Sequence, residues 1–220
     1  MKSKILGLLA LGLLARPMAA SAVQVSIASY GMNNGHGQAS GGTFNYWDRS
    51  YNGTGNTTQD DAPLTGGVGD LTDGSAATDF WYNVENGAGT GPYVGWYSPV
   101  RPNPLVQFNF TMPWTVDEIR VHVDNSTVGG VYQPIAYFVN GNPWSFTALA
   151  NGTIGWITLT GAPVTGNSLS LTFVHQSFSN WIFASEVEIF GVRGSSVPEP
   201  GTLALLSLGL LGLGFTRRKA

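Results

Sequence analysis

Apolar and polar positions alternate along this chain in short runs. Ile119, Val121 and Val123 alternate with Arg120, His122 and Asp124. Ile135, Tyr137 and Val139 repeat the pattern. Leu169, Leu171 and Phe173 alternate with Ser170 and Thr172, and Val187 and Ile189 with Glu186 and Glu188. Successive side chains of a strand point to opposite faces, so each run predicts a half-buried β-strand. Leu105 to Phe110 and Trp156 to Leu159 are further candidates. Val128-Gly129-Gly130, Asn140-Gly141-Asn142-Pro143 and Thr165-Gly166-Asn167 are turn signals between them. Long helical periodicity and repeats of fixed period are missing. Many short strands with turns between them predict an all-β domain, an antiparallel β-sandwich. The stretch from Ser29 to Gly69 differs, being rich in Gly, Asn, Ser and Thr with Phe44, Tyr46 and Trp47 embedded. A structureless loop beyond about 15 residues is unusual, so one short strand near Thr43 to Trp47 is expected there, flanked by long ordered loops.

The two ends carry unbroken apolar runs instead. Lys2 and Lys4 precede the apolar segment Ile5 to Ala15, and Ala20-Ser21-Ala22 fits the small-residue cleavage rule of a signal peptide. Residues 1–22 are therefore expected to be removed between Ala22 and Val23. At the other end, Val197-Pro198-Glu199-Pro200 precedes an apolar stretch over residues 203–215 and a basic tip over 217–220. That stretch is shorter than the roughly 20 residues that span a bilayer comfortably, and the cations hold the tip on the cytoplasmic side. An exposed kinked motif beside a temporary membrane stop suits a processing enzyme. The three parts together resemble the bacterial PEP-CTERM sorting signal, with an ordinary anchor helix as the other reading. The resemblance implies an exosortase acting at Pro198, Glu199 and Pro200. It also implies transient anchoring in the inner membrane through the C-terminal helix alone, then a place at the cell surface or in the extracellular matrix of a Gram-negative bacterium.

Removing the two labels changes the charge. Six of the ten basic residues lie in them, and residues 23–194 keep only Arg49, Arg101, Arg120 and Arg193 against twelve of the thirteen carboxylates. Such an acidic body, free of lysine, argues against nucleic acid and anionic lipid surfaces as partners. It is compatible with hard cations and neutral polymers. There is no cysteine, which removes disulfides, thiol catalysis and thiolate metal sites. The Asn-x-Ser/Thr sequons at Asn52, Asn56, Asn109, Asn125 and Asn151 read as chance in an Asn- and Thr-rich chain.

The segment from Leu71 to Trp81 places an Asp-Gly turn, two hydroxyls and a second carboxylate close together before an aromatic pair. Such an oxygen-rich loop suits Ca²⁺, which takes six to eight oxygen ligands. A second carboxylate opens the late strand from Ser185 to Phe190. With Val94-Gly95-Trp96, the Val106 to Phe110 and Val116 to Val121 strands and the late Trp156, this pattern resembles the discoidin-like, galactose-binding-like family, which includes coagulation-factor C-type domains and related carbohydrate-binding modules. The resemblance implies an eight-stranded jelly roll over residues 23–194, followed by a linker and sorting signal over 195–220. It also implies a structural Ca²⁺ held by Asp73, Ser75, Thr78 and Glu186, although Ser75 stands where relatives often carry an acid or amide. On the alternative reading Asp73 caps a turn and Glu186 is a solvated strand residue.

Aromatics in loops can offer apolar faces to sugar rings. Trp47, Trp81, Trp96, Tyr97, Tyr132 and Trp181 are the candidates, with Arg101, His175 or Asn180 as hydrogen-bond donors. Tyr97 and His175 stand out because each ends a strand beside turn residues. His122 is expected on the outer face. Nucleophile-elbow, zincin and phosphate-loop motifs are missing. Asp117 and Glu118 point to opposite strand faces, and Asp60-Asp61 reads as solvated, so no enzyme is expected. The function expected is binding or organising extracellular polysaccharide in a biofilm matrix. A self-associating structural matrix protein or a protein-binding adhesin is the alternative.

Overall fold

The computed structural model describes residues 21–37 and 43–193. Most of the expected signal peptide, the expected processing motif Pro198-Glu199-Pro200, the expected apolar helix over 203–215 and the basic tip lie outside the described residues. Among these residues there are nine strands: β1 (Val23–Gln24), β2 (Ile27–Asn33), β3 (Pro63–Gly67), β4 (Val94–Tyr97), β5 (Leu105–Asn125), β6 (Ala136–Val139), β7 (Asn142–Phe146), β8 (Thr153–Val174) and β9 (Trp181–Arg193). One four-residue helix, α1 (Trp81–Val84), and a 3₁₀ turn (Val128–Gly130) complete the elements. No described helix is long and apolar enough to cross a membrane.

The strands pair antiparallel in the order β1-β9-β5-β8-β6-β7, with β2 joining β5 and β3, and β4 joining β9. The runs expected as separate strands fuse: Leu105 to Phe110 and Ile119 to Val123 are both β5, and Trp156 to Leu159 and Leu169 to Phe173 are both β8. These two strands pair from Leu105↔Thr172 to Asn125↔Thr153, with register breaks between Asn109 and Trp114 and between Val116 and Glu118. The first half of β5 carries β2 on its other edge, and the second half carries β9. Each long strand therefore bends from one layer of the sandwich into the other, as strands do at the corners of packed sheets. Thr165-Gly166-Asn167 is accordingly a bend inside β8, with Gly166 opposite Trp114, and not the chain reversal its composition suggested. Asn140 and Gly141 do reverse the chain between β6 and β7, both at positive φ (48° and 78°), as a two-residue hairpin loop requires.

The core lies between the layers. Phe108, Ile119, Val121, Leu159, Leu171, Phe173, Val187 and Ile189 are all buried, so the alternation marked the inward positions correctly. Ile135 departs from it, standing exposed just before β6.

The polar stretch from Ser29 to Gly69 is more ordered than its composition suggested. It contains β2 and β3, which pair through Tyr30↔Gly67 and Met32↔Leu64, whereas the expected strand near Thr43 to Trp47 is a single bridge, Asn45↔Asn86. Buried polar side chains hold the rest. The Tyr30 hydroxyl donates to Asp48 Oδ2, and Asp48 Oδ1 accepts from the Asp70 amide at 3.0 Å. Asn34 Oδ1 accepts from the Gly35 and Asp48 amides at 2.9 and 2.8 Å. The Tyr51 hydroxyl donates to the Tyr30 carbonyl and accepts from the Gly67 amide.

Trp96 belongs to the core and not to a binding surface. Its side chain is fully buried, 5.5 Å from the Phe173 ring, and Nε1 donates to the Asn33 carbonyl at 2.9 Å. Trp96→Ala is expected to lower stability by about 3–5 kcal/mol, read as a lower urea midpoint. An unchanged midpoint would show that the indole is not part of the core.

Candidate functional site

A second, smaller apolar cluster sits beside the main core, at the end of the sandwich where β4 stops and β9 starts. Tyr46, Ala77, Trp81, Tyr93, Val131 and Phe183 form its buried part. The Tyr46 ring lies 4.4 Å from Phe183 and 5.8 Å from Trp81. Gly95 on β4 makes room for this packing, because a Cβ there would lie 2.3 Å from the Phe183 ring. Asp124, at the end of β5, accepts from the Trp81 amide at 2.8 Å and the Ser126 amide at 2.6 Å. One buried carboxylate thus ties α1 to the turn after β5. Burial raises its pKa, against the pull of those amides.

Above this floor is a cavity of about 300 Å³ lined by Tyr46, Trp81, Tyr97, Gly129, Val131, Ser179, Trp181 and Phe183. Tyr97 and Trp181 face each other across β4 and β9 and stack at 4.8 Å with 29° between their planes. Both are partly exposed, and the Trp181 indole N–H makes no hydrogen bond among the described residues. Gly129 (φ 65°) packs against the Trp81 ring, and a Cβ there would come within 3.0 Å of it. A concavity lined by aromatic side chains and polar groups is a common form of a small-ligand site.

Of the nine residues named as candidates for ligand contact, Trp81, Tyr97 and Trp181 line this cavity. Trp96 is in the core. Arg101 lies outside this cavity and forms a bidentate pair with Asp61 through Nε and Nη2 at 2.9 and 2.5 Å, so Asp61 is not merely solvated. His175 and Asn180 are buried, with His175 Nδ1 3.1 Å from the Asn180 side chain and the Asn180 amide donating to Ser98 Oγ. They tie the 175–180 loop together, and His175 lines a separate depression with Ser98, Pro102, Asn103, Ser177 and Phe178. Burial pushes His175 down to about 4, so it is neutral at physiological pH. His36, which held no assignment, supports the wall: its Nδ1 accepts from the Tyr97 amide at 3.1 Å and its ring lies 6.2 Å from Trp181. Trp181 and Trp81 were among the candidate aromatics, but Tyr46 and Phe183 were not. Their long-range convergence leaves no local signal. Trp47 instead donates to Asp60 at 2.7 Å.

The carboxylates expected to hold calcium meet at a bulge in β9. His122 pairs with Glu186, but Val123 pairs with Ala184, so Ser185 is an extra residue. The bulge presents two consecutive polar side chains to the 73–77 turn. Ser185 Oγ accepts from the Ala77 amide at 3.1 Å and lies 2.8 Å from His122 Nδ1. Glu186 Oε2 accepts from the Gly74 and Ser75 amides at 2.8 and 3.1 Å, and Asp73 Oδ1 accepts from the Ser75 amide at 2.8 Å. Asp73 and Glu186 therefore come together. Ser75 contributes its amide, and Thr78 is exposed without a bond to the other three. Glu186 is pushed up to about 7, mainly by burial and further by Asp73. Two converging carboxylates suit a divalent cation, whereas two amide N–H groups aimed at one of them do not. The expected four ligands thus fit the ion only in part, and no described group of three or more His, Cys, Asp or Glu is arranged to hold a metal. Glu186 and His122 also prove buried under this turn, not solvated on an outer face.

The residues from Ser26 to Val139 match the family model of the discoidin domain-containing receptor 1/2, DS-like domain. The chain belongs to that family. Pairing carries the DS-like fold beyond the match, through β8 and β9 to Arg193. Residues 196–219 match the PEP-CTERM protein-sorting motif, which marks an exported protein sorted through the membrane. No curated protein matches the chain. Among solved structures, a chain from the Streptococcus pneumoniae β-galactosidase BgaA is 13% identical with a TM-score of 0.42, covering 56% of this chain and 83% of that one. A pectin-binding carbohydrate-binding module is 16% identical with a TM-score of 0.33, covering 59% and 81%. A family 89 glycoside hydrolase from Clostridium perfringens is 16% identical with a TM-score of 0.31, covering 49% and 12%.

Buried acids give the domain a definite pH response. Burial raises Asp48 and Asp70, Asp70 further through the charge of Asp48, and lifts Glu85 to about 8, alongside Glu186. The folded state then holds protons that unfolded carboxylates release near pH 4, so stability falls as pH rises from about 4 to about 8. His36, His122 and His175 are lowered by burial and oppose this trend, but only below about 6.5, where unfolded histidine takes up protons. The melting temperature should therefore fall between about pH 6.5 and 8.5, and Glu85→Gln should flatten the slope. A flat or rising profile over that interval would refute the assignment.

Proposed function

We propose that this exported DS-like domain is a non-enzymatic module that binds extracellular polysaccharide through the Tyr97–Trp181 cavity and helps to organise the matrix around the cell. The observation that carries this reading is the partly exposed Tyr97–Trp181 stack over an aromatic floor. A pyranose ring presents an apolar face to such a surface, and its hydroxyls reach the polar rim. The acidic, lysine-free body favours a neutral polymer over an anionic one. Signal cleavage between Ala22 and Val23 would leave β1 intact at the new N-terminus. Exosortase action at Pro198-Glu199-Pro200 would then free the domain from its inner-membrane anchor, at the surface of a Gram-negative cell.

The full chain should be retarded in native gels containing the producing organism's exopolysaccharide, and Tyr97→Ala should weaken binding about 3- to 10-fold, the worth of one aromatic contact of about 0.5–1.5 kcal/mol. Equal retardation of wild type and variant would rule out the cavity as the glycan site.

Calcium keeps a place in this proposal only at Asp73 and Glu186, where a divalent cation would relieve two crowded carboxylates. With a Kd of about 10⁻⁴ M, about 1 mM Ca²⁺ would stabilise the fold by about 1.4 kcal/mol. The melting temperature should rise with calcium and return with chelator, and Glu186→Gln should abolish the response. Identical melting in calcium and chelator would remove the ion from the account.

A further inference from the structure

The outward face of the sheet carries a second cluster that the loop-end cavity does not use. Register places Trp156 on β8 opposite His122 on β5, and Thr158 opposite Arg120, which in turn faces Glu188 on β9. These positions alternate with the inward core residues Ile157, Val121 and Val187, so their side chains share the outer side of the sheet, where His122 is covered and Trp156, Thr158, Arg120 and Glu188 reach solvent. Trp156 is 38% exposed there. An indole is worth more buried than open, so a tryptophan on a bare sheet face calls for a reason.

Its surroundings hold it in place. The His122 ring meets it edge-on at 5.3 Å and 74°, and His122 is itself held by Ser185 Oγ. Arg120 is clamped beside it. Its guanidinium carbon lies 4.5 Å over the Phe190 ring, Nε donates to Glu118 Oε1 at 2.7 Å, and one terminal nitrogen is 4.0 Å from Glu188 Oε2. Arg120, Trp156, Thr158 and Glu188 line a depression of about 330 Å³.

We propose that this depression is a second carbohydrate-binding platform, taking a neutral polysaccharide chain. The Trp156 ring offers an apolar surface for one pyranose face. The guanidinium, the Thr158 hydroxyl and the Glu188 carboxylate supply donors and acceptors for ring hydroxyls in fixed positions. Charge selects the class of polymer. The one cation lies between two carboxylates, so the face holds no surplus positive charge for uronate or sulfated chains. Along β9 the platform stands seven residues from Trp181, roughly 23 Å at the rise of an extended strand. One domain can then hold two polysaccharide segments, and linked sites bind multivalent polymers more tightly than either alone. That bivalency rests on the cavity reading; the platform itself does not.

The test is affinity electrophoresis of the full chain in gels containing the producing organism's exopolysaccharide, galactan or mixed-linkage glucan. Trp156→Ala, Trp156→Phe and Tyr97→Ala are compared with wild type, and folding is checked by circular dichroism. On a polymer that retards wild type, Trp156→Ala should weaken binding at least about fivefold, in the range of one lost aromatic contact, and Trp156→Phe should restore part of it. Loss in Trp156→Ala with Tyr97→Ala unaffected would support the platform and sink the cavity. Loss only in Tyr97→Ala would overturn the platform and leave the cavity standing. No retardation on any of the three polymers would overturn both. Concentration-dependent dimerisation that Trp156→Ala abolishes, with glycan binding unchanged, would make this face a contact between copies and also overturn the proposal.

Discussion

Strands β5 and β8 each pass through both layers of the sandwich, and their continuous pairing from Leu105↔Thr172 to Asn125↔Thr153 is the frame on which the other strands hang. A strand that switches layers must bend, and the register breaks around Trp114 and Val116 are where it does so. The bend lets one edge of β5 serve β2 in its first half and β9 in its second. The start of β9 in turn carries β4, and with it the Tyr97–Trp181 stack. The candidate glycan cavity is thus a consequence of how two long strands turn a corner.

Away from the apolar core, buried polar groups take over the ordering. Asp48, Asn34 and Tyr51 satisfy backbone amides from distant parts of the polar stretch, and Asp124 does the same for α1. Each replaces water for a backbone group that would otherwise be costly to bury. The chain has few cations to balance these carboxylates, and burial raises the pKa of each. A loop scaffold built this way is rigid without cysteine. It also explains how a Gly- and Asn-rich segment can shape one wall of the aromatic cavity.

The alternating runs identified the inward residues of β5, β6, β8 and β9, because a two-residue period follows directly from the pleat of a strand. They did not reveal that neighbouring runs belong to single bent strands, since a bend and a reversal draw on the same small and polar residues, as at Thr165-Gly166-Asn167. β2 and β3 were hidden for a related reason. Their apolar positions are sparse, and hydrogen bonds from buried side chains in distant loops help to hold them. Tyr97 was legible as a candidate from its place at a strand end, and it does line the aromatic cavity. Trp96, one position earlier, was not separable from it by composition, although the pleat sends the two rings in opposite directions.

By itself the sequence determined the class of the fold, the C-terminal sorting motif, and an acidic, cysteine-free body. These depend on local periodicity, composition and short contiguous motifs. Only the tertiary structure decided which aromatics form a floor and which remain open, and that the calcium candidates meet through backbone amides. Only it brought Trp156 and Arg120 together on one face. Those outcomes turn on strand register and on one extra residue at Ser185, and register is set by packing between segments far apart in the chain.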